Sequence, residues 1–320
     1  MIKVSISCMV YNHEKYIQQT LEGFISQETS FEFEVIVHDD ASTDNSASII
    51  KEYAEKYPTI IKPVFQIENK YSTGIKVADK YVFPLMNGEY IALCEGDDYW
   101  SDTHKLQKQV DFLDSHQEYV ACVHNTLKLD MWHGTSEIMY NRGKDCDLLF
   151  KDTVSGGSSC YHTSSLMYRR SIRESFPNYM KKSWLVGDYP MAMFLTTIGK
   201  VRYLNDVMSV YRFGTEFSYT RTFGSSSKKM AKVYSDLIEL LREIDDETHG
   251  QYHKDIVPKI LENKYYLAEI EGRYKDLRVD PLYEIYKKKG FKYKMRSYLL
   301  ELLGPIGTQY LEYVRKKIYK

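Results

Sequence analysis

Apolar residues along the first 130 positions fall in short runs, and nearly every run stops at a polar or acidic cluster. Residues 4–10 form an apolar run of strand length, broken by Tyr11-Asn12-His13. Positions 13–27 then place Ile17, Leu21, Phe24 and Ile25 at the spacing of one helix face. A second strand is predicted at 33–37, ending in His38-Asp39-Asp40. Ser42-Thr43-Asp44 offers capping side chains for a helix reaching Tyr57, with Ile49, Ile50, Tyr53 and Ala54 facing inward, and Pro58 stops it. A third strand at 61–65, a polar loop containing Gly74, a helix to Met86 and a fourth strand at 90–94 continue the series. The order β-α-β-α-β-α-β predicts an α/β fold with a parallel sheet covered by helices on both faces. A further helix is expected at 102–115, carrying Leu106, Val110 and Leu113, and a strand at 119–124.

Beyond that point the pattern loosens. Residues 125–183 read as shorter strands and loops, 189–198 as a helix and 201–211 as two short strands. From Lys228 the chain is helical and rich in Tyr and Lys, with a boundary in Gly224-Ser225-Ser226-Ser227. The expected organisation is an α/β domain over 1–224, with halves 1–124 and 125–224, followed by a helical region over 225–320. Segments 155–160 and 217–227, rich in Ser and Gly, are expected to be mobile until a ligand binds.

The strand at 90–94 ends in Glu95-Gly96-Asp97-Asp98. Crowded carboxylates repel one another unless a cation neutralises them. Hard oxygen ligands suit Mg2+ or Mn2+, and ligands of open α/β sheets bind at the carboxyl ends of strands. A solvated acidic turn is the plain alternative for a single such pair. Asp39-Asp40 should share that edge, where an Asp can accept the imino N–H of a uracil or thymine ring; helix capping would also account for it. Tyr11 and Asn12 close the first strand, where backbone could meet a base and a ring could stack on it. Lys76, near the start of the helix after Gly74, could contact a phosphate or simply be solvated. Asp188, in Gly187-Asp188-Tyr189-Pro190, suits an N-cap or a general base within reach of an acceptor hydroxyl. His124 and His162 show no pattern beyond strand or loop, and no Ser lies in a nucleophile-elbow context.

Composition adds little and excludes some classes. With 320 residues, 43% hydrophobic and 27% charged, the chain is an ordinary globule in its amino-acid usage. The net charge of −1 hides an asymmetry: residues 228–320 carry 20 Lys/Arg and 15 Asp/Glu, or +5, and the remainder is −6. A global nucleic-acid footprint is absent. The 29 tyrosines suit core and surface filler better than a carbohydrate groove. Cys8, Cys94, Cys122, Cys146 and Cys160 form no CxxC pair, which points to a reducing compartment and against a zinc site. No signal peptide is expected, and no apolar run approaches the roughly 18 residues of a membrane span.

The order of these pieces resembles a family 2 glycosyltransferase with the GT-A fold. The opening Val-Ser-Ile-Ser-Cys-Met-Val-Tyr-Asn is similar to that family's first strand and turn. His38-Asp39-Asp40-Ala41-Ser42-Thr43-Asp44 resembles its Asp-Asp-x-Ser-x-Asp signature. Gly88-Glu89-Tyr90-Ile91 with Glu95-Gly96-Asp97-Asp98 resembles the strand leading to its metal-binding acids. The likeness is strong over 3–130, weak over 155–213 and absent over 228–320. It implies that Asp40 contacts the nucleobase with Asp39 beside it, that Asp97 holds the ribose, and that Asp98, with or without Asp97, holds the metal. Tyr11, Asn12 and Lys76 would complete the donor side, and Asp188 would be the catalytic base. Trp100, His162 and Arg212 are the acceptor-side candidates. Ser209-Val210-Tyr211-Arg212 resembles the family's late Tyr-Arg segment, but Phe213-Gly214 stand where many members carry a metal-binding His.

The reading that follows is an inverting enzyme dependent on Mn2+ or Mg2+. It would move sugar from a nucleoside-diphosphate donor, UDP-linked, to a glycan or lipid-linked acceptor in cell-surface polysaccharide synthesis. A sugar-phosphate nucleotidyltransferase should instead carry a Gly-rich basic loop after the first strand, and Tyr11-Asn12-His13-Glu14 is not one. A non-catalytic scaffold of the same fold fits poorly with Asp40, Asp97, Asp98 and Asp188 all present. At the C-terminus, residues 287–320 are +8, and Tyr310, Leu311, Val314 and Ile318 make an apolar stripe beside Arg315, Lys316, Lys317 and Lys320. That is the pattern of an interfacial helix, which would set a cytoplasmic enzyme on the inner face of the plasma membrane. The same stripe could pack on the catalytic domain or on a second subunit of a homo-oligomer.

Overall fold

The computed structural model describes residues 1–155, 160–182, 187–216, 226–304, 306–307 and 313. The stripe at 310–318 and the core of both Ser/Gly segments lie outside them. The chain divides into two compact units, residues 1–183 with 191–215, and residues 184–190 with 216–320.

The first unit is built on one sheet. Its leading strands are β1 (Val4–Val10), β2 (Phe33–Asp39), β3 (Ile61–Phe65) and β4 (Tyr90–Leu93). They run β3-β2-β1-β4, all parallel. Every residue of β2 is buried, as is usual for a parallel strand covered on both faces. Helix α1 (Ile17–Ile25) buries Ile17, Leu21 and Phe24; α2 (Ser46–Lys56) buries Ile50; α3 (Lys105–Ser115) buries Leu106, Val110 and Leu113. These side chains share one core with the strands. Full burial of each is worth about 1.5–3 kcal/mol.

The second half of the sheet departs from the parallel expectation. It adds β5 (Tyr99–Trp100), β6 (Tyr119–Asp130), β7 (Thr135–Ile138), β8 (Cys146–Leu148), β9 (Met167–Arg169) and β10 (Lys200–Phe213). Strand β9 is inserted antiparallel between β4 and β6, and β10 runs parallel to β6. The stretch expected as two short strands is the single strand β10, because register shifts around Leu204, Val207 and Ser209 absorb its polar Asn205-Asp206 without ending the pairing. The helix expected up to Met86 is instead a π turn at Ala78–Val82 and a 3-10 turn at Phe83–Leu85, with Pro84 in the latter's first positions. Short helices α4 (Phe150–Val154) and α5 (Asn178–Lys181) precede α6 (Asp188–Ile198).

The second unit is helical. It holds α7 (Ser227–Glu247), α8 (His253–Ile270), α9 (Tyr283–Tyr286) and α10 (Phe291–Leu303), with α7 packed along α8. Half of its core cluster is tyrosine: Tyr265, Tyr274 and Tyr286 with Ala268, Leu277 and Leu300. In the first unit Tyr90, Tyr168 and Tyr203 are fully buried. Much of the tyrosine excess is therefore core filler.

Candidate active site

Three neighbouring strands bring their carboxyl ends to one edge. In the order β2-β1-β4, those ends carry Asp39-Asp40, Tyr11-Asn12 and the turn Glu95–Asp98. The turns after β1 and β2 are laced together. Asn12 sits in the left-handed region at φ 56°, which Asn tolerates. Its N–H donates to Ser42 Oγ (2.9 Å), and its Oδ1 accepts from the Thr43 N–H (2.7 Å). The His13 N–H donates to Ser46 Oγ (2.8 Å) and the Glu14 N–H to Asp44 Oδ2 (3.0 Å). Glu14 answers by accepting from the Asn45 N–H at 2.9 Å. Tyr11 stands exposed at this edge.

Asp40 is buried and accepts from the N–H groups of Lys70 (2.8 Å) and Tyr71 (2.9 Å), which pins the loop after β3. Asp39 accepts from the Ser42 N–H at 3.1 Å. Its Oδ1 is buried with no hydrogen-bond partner, as is His13 Nδ1. Burial lowers the His13 pKa against the pull of Asp97, Asp44 and Asp39. Gly96 is tightly enclosed in its turn: a Cβ there would lie 2.8 Å from both His13 Nδ1 and Val10 Cγ2, so those side chains would have to shift.

Asp98 is the buried member of the second pair, 2% exposed. Its Oδ1 accepts from the Arg212 N–H (2.9 Å), and its carbonyl accepts from Thr20 Oγ1 (2.5 Å). Its Oδ2 faces His162 Nε2 across 3.8 Å, too long for a hydrogen bond. Burial pushes the Asp98 carboxyl well above its usual range, the Asp97 charge adds to this, and the Arg212 N–H opposes it. His162 stacks on Tyr211 at 4.2 Å between ring centroids. Burial holds its pKa down at about 4 against the pull of Asp97, so the imidazole is neutral. His162 Nδ1 lies 2.8 Å from Ser164 Oγ and 3.3 Å from the Ser164 N–H. Ser164 Oγ donates to Ser209 Oγ (3.0 Å), which meets Thr126 Oγ1 at 3.0 Å. Asp97 is half-buried; its Oδ2 accepts from Thr215 Oγ1 (2.8 Å) and its carbonyl from the Arg212 guanidinium (2.6 Å). Arg212 also donates to Gln19.

The three residues expected on the acceptor side are all buried. Trp100 is a core residue, edge-on to Phe24 at 4.8 Å, with its indole N–H donating to the Ser164 carbonyl at 2.8 Å. Lys105 Nζ lies over one face of its ring at 3.7 Å, and the side chain is only 3% exposed. Arg212 clamps the acid pair, and His162 faces Asp98. Lys76 donates to the Met180 carbonyl and lies 3.8 Å from Asp79, itself paired with Arg173 at 2.5 Å. Burial lowers its amine pKa. Asp188 opens α6, and desolvation pushes its carboxyl up against the opposing N–H groups of Asp188 and Tyr189. The supporting residues Thr20, Gln19, Ser164, Ser209 and Thr215 went unread, because single hydroxyls and amides inside apolar runs carry no periodic signal. Among the described residues, no three His, Cys, Asp or Glu side chains form a ready metal cage. Asp98 and His162 do converge an oxygen and a neutral nitrogen on one gap, a donor set compatible with a divalent cation.

An α/β sheet with this acid-lined edge and a helical C-terminal region is the GT-A architecture, and solved structures match it. S. aureus TarS 1–349 in complex with UDP-GlcNAc superposes with a TM-score of 0.57 at 19% identity, over 94% of this chain and 80% of that one. The mannosyltransferase PcManGT of Pyrobaculum calidifontis, in complex with GDP-Man and Mn2+, gives 0.56 at 14% identity, over 99% and 86%. The sequence profile of glycosyl transferase family 2 matches residues 5–176, and the chain belongs to that family. An uncharacterised protein of Mycobacterium tuberculosis is 35% identical over 261 residues, 79% of this chain and 71% of the relative.

Proposed function

We propose that this glycosyltransferase is inverting and metal-dependent. On this reading it transfers a sugar from a UDP-linked donor to a hydroxyl of a glycan or lipid-linked acceptor in cell-surface polysaccharide synthesis, at the cytoplasmic face of the membrane. The observation that carries the reading is the pair of acid clusters, Asp39-Asp40 and Asp97-Asp98, on one sheet edge with the laced β1 turn between them. Asp40, with Asp39 beside it, is assigned to the base; a carboxylate that already accepts two N–H groups keeps further lone pairs. Tyr11 and Asn12 border the base, Asp97 takes the ribose, and Lys76 stays on the donor side.

Asp98 is assigned as the metal ligand, and His162 as the second protein ligand, in place of the His that Phe213-Gly214 lack. Two features favour His162: it is neutral, and its Nε2 faces Asp98 Oδ2. For Nε2 to present a lone pair, the proton must sit on Nδ1 and donate to Ser164 Oγ (2.8 Å), with the longer Ser164 N–H contact to Nδ1 (3.3 Å) given up on metal binding. Mn2+ or Mg2+ bound there would supply charge neutralisation for a leaving diphosphate. Arg212 fixes both acids from behind through its N–H and guanidinium. Asp188 removes the proton from the acceptor hydroxyl, which attacks the anomeric carbon opposite the diphosphate. A carboxyl held above its ordinary value by burial is suited to that task. One displacement inverts the carbon, so no second carboxylate is needed on the sugar.

Calorimetry tests the site. UDP binding should strengthen with Mn2+ in the wild type and lose that dependence in Asp98→Ala and in His162→Ala. Metal-dependent binding unchanged in Asp98→Ala would remove the assignment.

A further inference from the structure

Helix α10 presents two opposite apolar faces, and only one is used. Tyr293, Ser297 and Leu300 face the tyrosine core of the second unit. They are fixed there by Tyr265 Oη donating to Tyr293 Oη (2.8 Å) and by the Tyr286 Oη–Ser297 Oγ contact (3.3 Å). Arg278 pairs with Glu301 and lies over the Tyr298 ring at 4.2 Å, which fixes the helix about its axis. Phe291, Met295, Leu299 and Leu302 follow at spacings of three and four residues on the other side, and all four are exposed. Phe291 is 77% exposed and Leu302 83%. Leu303, and Ile306 just past the helix, are exposed as well. A soluble helix keeps its second face polar, and an apolar stripe of this length marks a surface that something covers.

Charge says what covers it. Residues 287–296 contain Lys287, Lys288, Lys289, Lys292, Lys294 and Arg296, with no acid among them. Lys292 and Arg296 are exposed along one border of the apolar stripe, and Lys294 lies on the other. A second copy of this chain docking the same patch to itself would set these cations against each other, because a two-fold interface is self-complementary. An anionic sheet of headgroups over a hydrocarbon layer satisfies both features at once. We infer that α10 is an in-plane membrane anchor, with Phe291, Met295, Leu299 and Leu302 in the acyl boundary and the flanking Lys and Arg at anionic headgroups. No helix among the described residues is long and apolar enough to cross a membrane; the attachment proposed for α10 lies in the plane of the surface. This assignment is independent of donor and metal, and concerns a different segment from the stripe at 310–318.

The test is co-sedimentation of the full chain with phosphatidylcholine vesicles, with and without phosphatidylglycerol, alongside sedimentation velocity without lipid. The wild type should bind only the anionic vesicles and be released by salt. Leu299→Glu/Leu302→Glu should abolish binding. Lys292→Glu/Arg296→Glu should weaken it at least about tenfold, since each basic residue at such a surface contributes about 1 kcal/mol. All four positions are exposed, so circular dichroism should show unchanged folding. Absence of wild-type binding, or equal binding by both variants, overturns the proposal. A wild-type dimer that the Leu variant converts to monomer, with no vesicle binding, overturns it in favour of a second copy.

Discussion

Individual side chains define what this enzyme can be asked. Asp188 lies in the first turn of α6, and kinetics separates a helix-capping residue from the proposed base. Asp188→Asn should leave UDP–Mn2+ binding unchanged in calorimetry and lower kcat by at least about a hundredfold, the usual worth of a general base; full kcat would make it a cap. Lys105 is the other residue that stands out. It is fully buried, its Nζ has no hydrogen-bond partner and lies over the Trp100 ring, with Cys94, Cys122 and His124 near enough to feel its charge. Burial pulls its amine down to about 7 from 10.5. The folded chain therefore binds fewer protons than the unfolded chain between those values, and stability should rise with pH across that window by a few kcal/mol. Lys105→Met should flatten that rise and raise the melting temperature most at and below pH 7. A mutant with an unchanged slope of stability against pH would show that the amine is not neutralised in the fold. The sequence could not disclose this, because a Lys in the first turn of an amphipathic helix reads as solvated. The acids at 39–40 and 97–98 were legible because each ends a strand long enough to recognise. His162 was legible only as an acceptor-side candidate, because Asp98, which it faces, lies 64 residues away.

Elements were readable where one period ran unbroken. The parallel half of the sheet and α1, α2 and α3 follow from apolar runs and helical spacing. The antiparallel insertion of β9 did not, since three residues carry no period. Nor did the joining of β10 across Asn205-Asp206, since a register shift preserves pairing that the polar residues appear to interrupt on paper. Capping was displaced by one step: Asp44 accepts from the Ser46 N–H (2.9 Å) while reaching across to Glu14. Hydrogen bonds from Ser46 and from the Glu14 N–H outweigh desolvation, the largest single effect, and hold its carboxyl below the usual range. That contribution is complete above the ordinary carboxylate value and fades as pH drops through the depressed one. Asp44→Ala should cost about 1–2 kcal/mol at neutral pH, read from urea denaturation. The difference between mutant and wild type should close in acid. An unchanged urea midpoint at pH 7 would mean that the lacing does not depend on this carboxylate.

At the scale of the molecule, the chain holds five cysteines, with Cys8, Cys94, Cys122 and Cys160 buried and Cys146 partly accessible. Burial raises the four hidden thiols above their ordinary value. A thiol reagent such as DTNB should titrate one group quickly in the native protein and all five in denaturant; two or more fast groups would mean that the core opens readily. The sheet also binds distant parts of the chain into one chemical unit. The hydroxyls of Ser164, Ser209 and Thr126 link β6, β10 and the turn before β9 in a line that ends on the imidazole facing Asp98. A line of this kind works as a dial rather than a switch. Ser→Ala anywhere along it would change how strongly the ring donates electrons, and metal affinity responds to such outer groups by factors of about 10–100. Under the proposed metal assignment, preference between manganese and magnesium would thus drift through hydroxyl-removing exchanges that leave Asp98 and His162 in place.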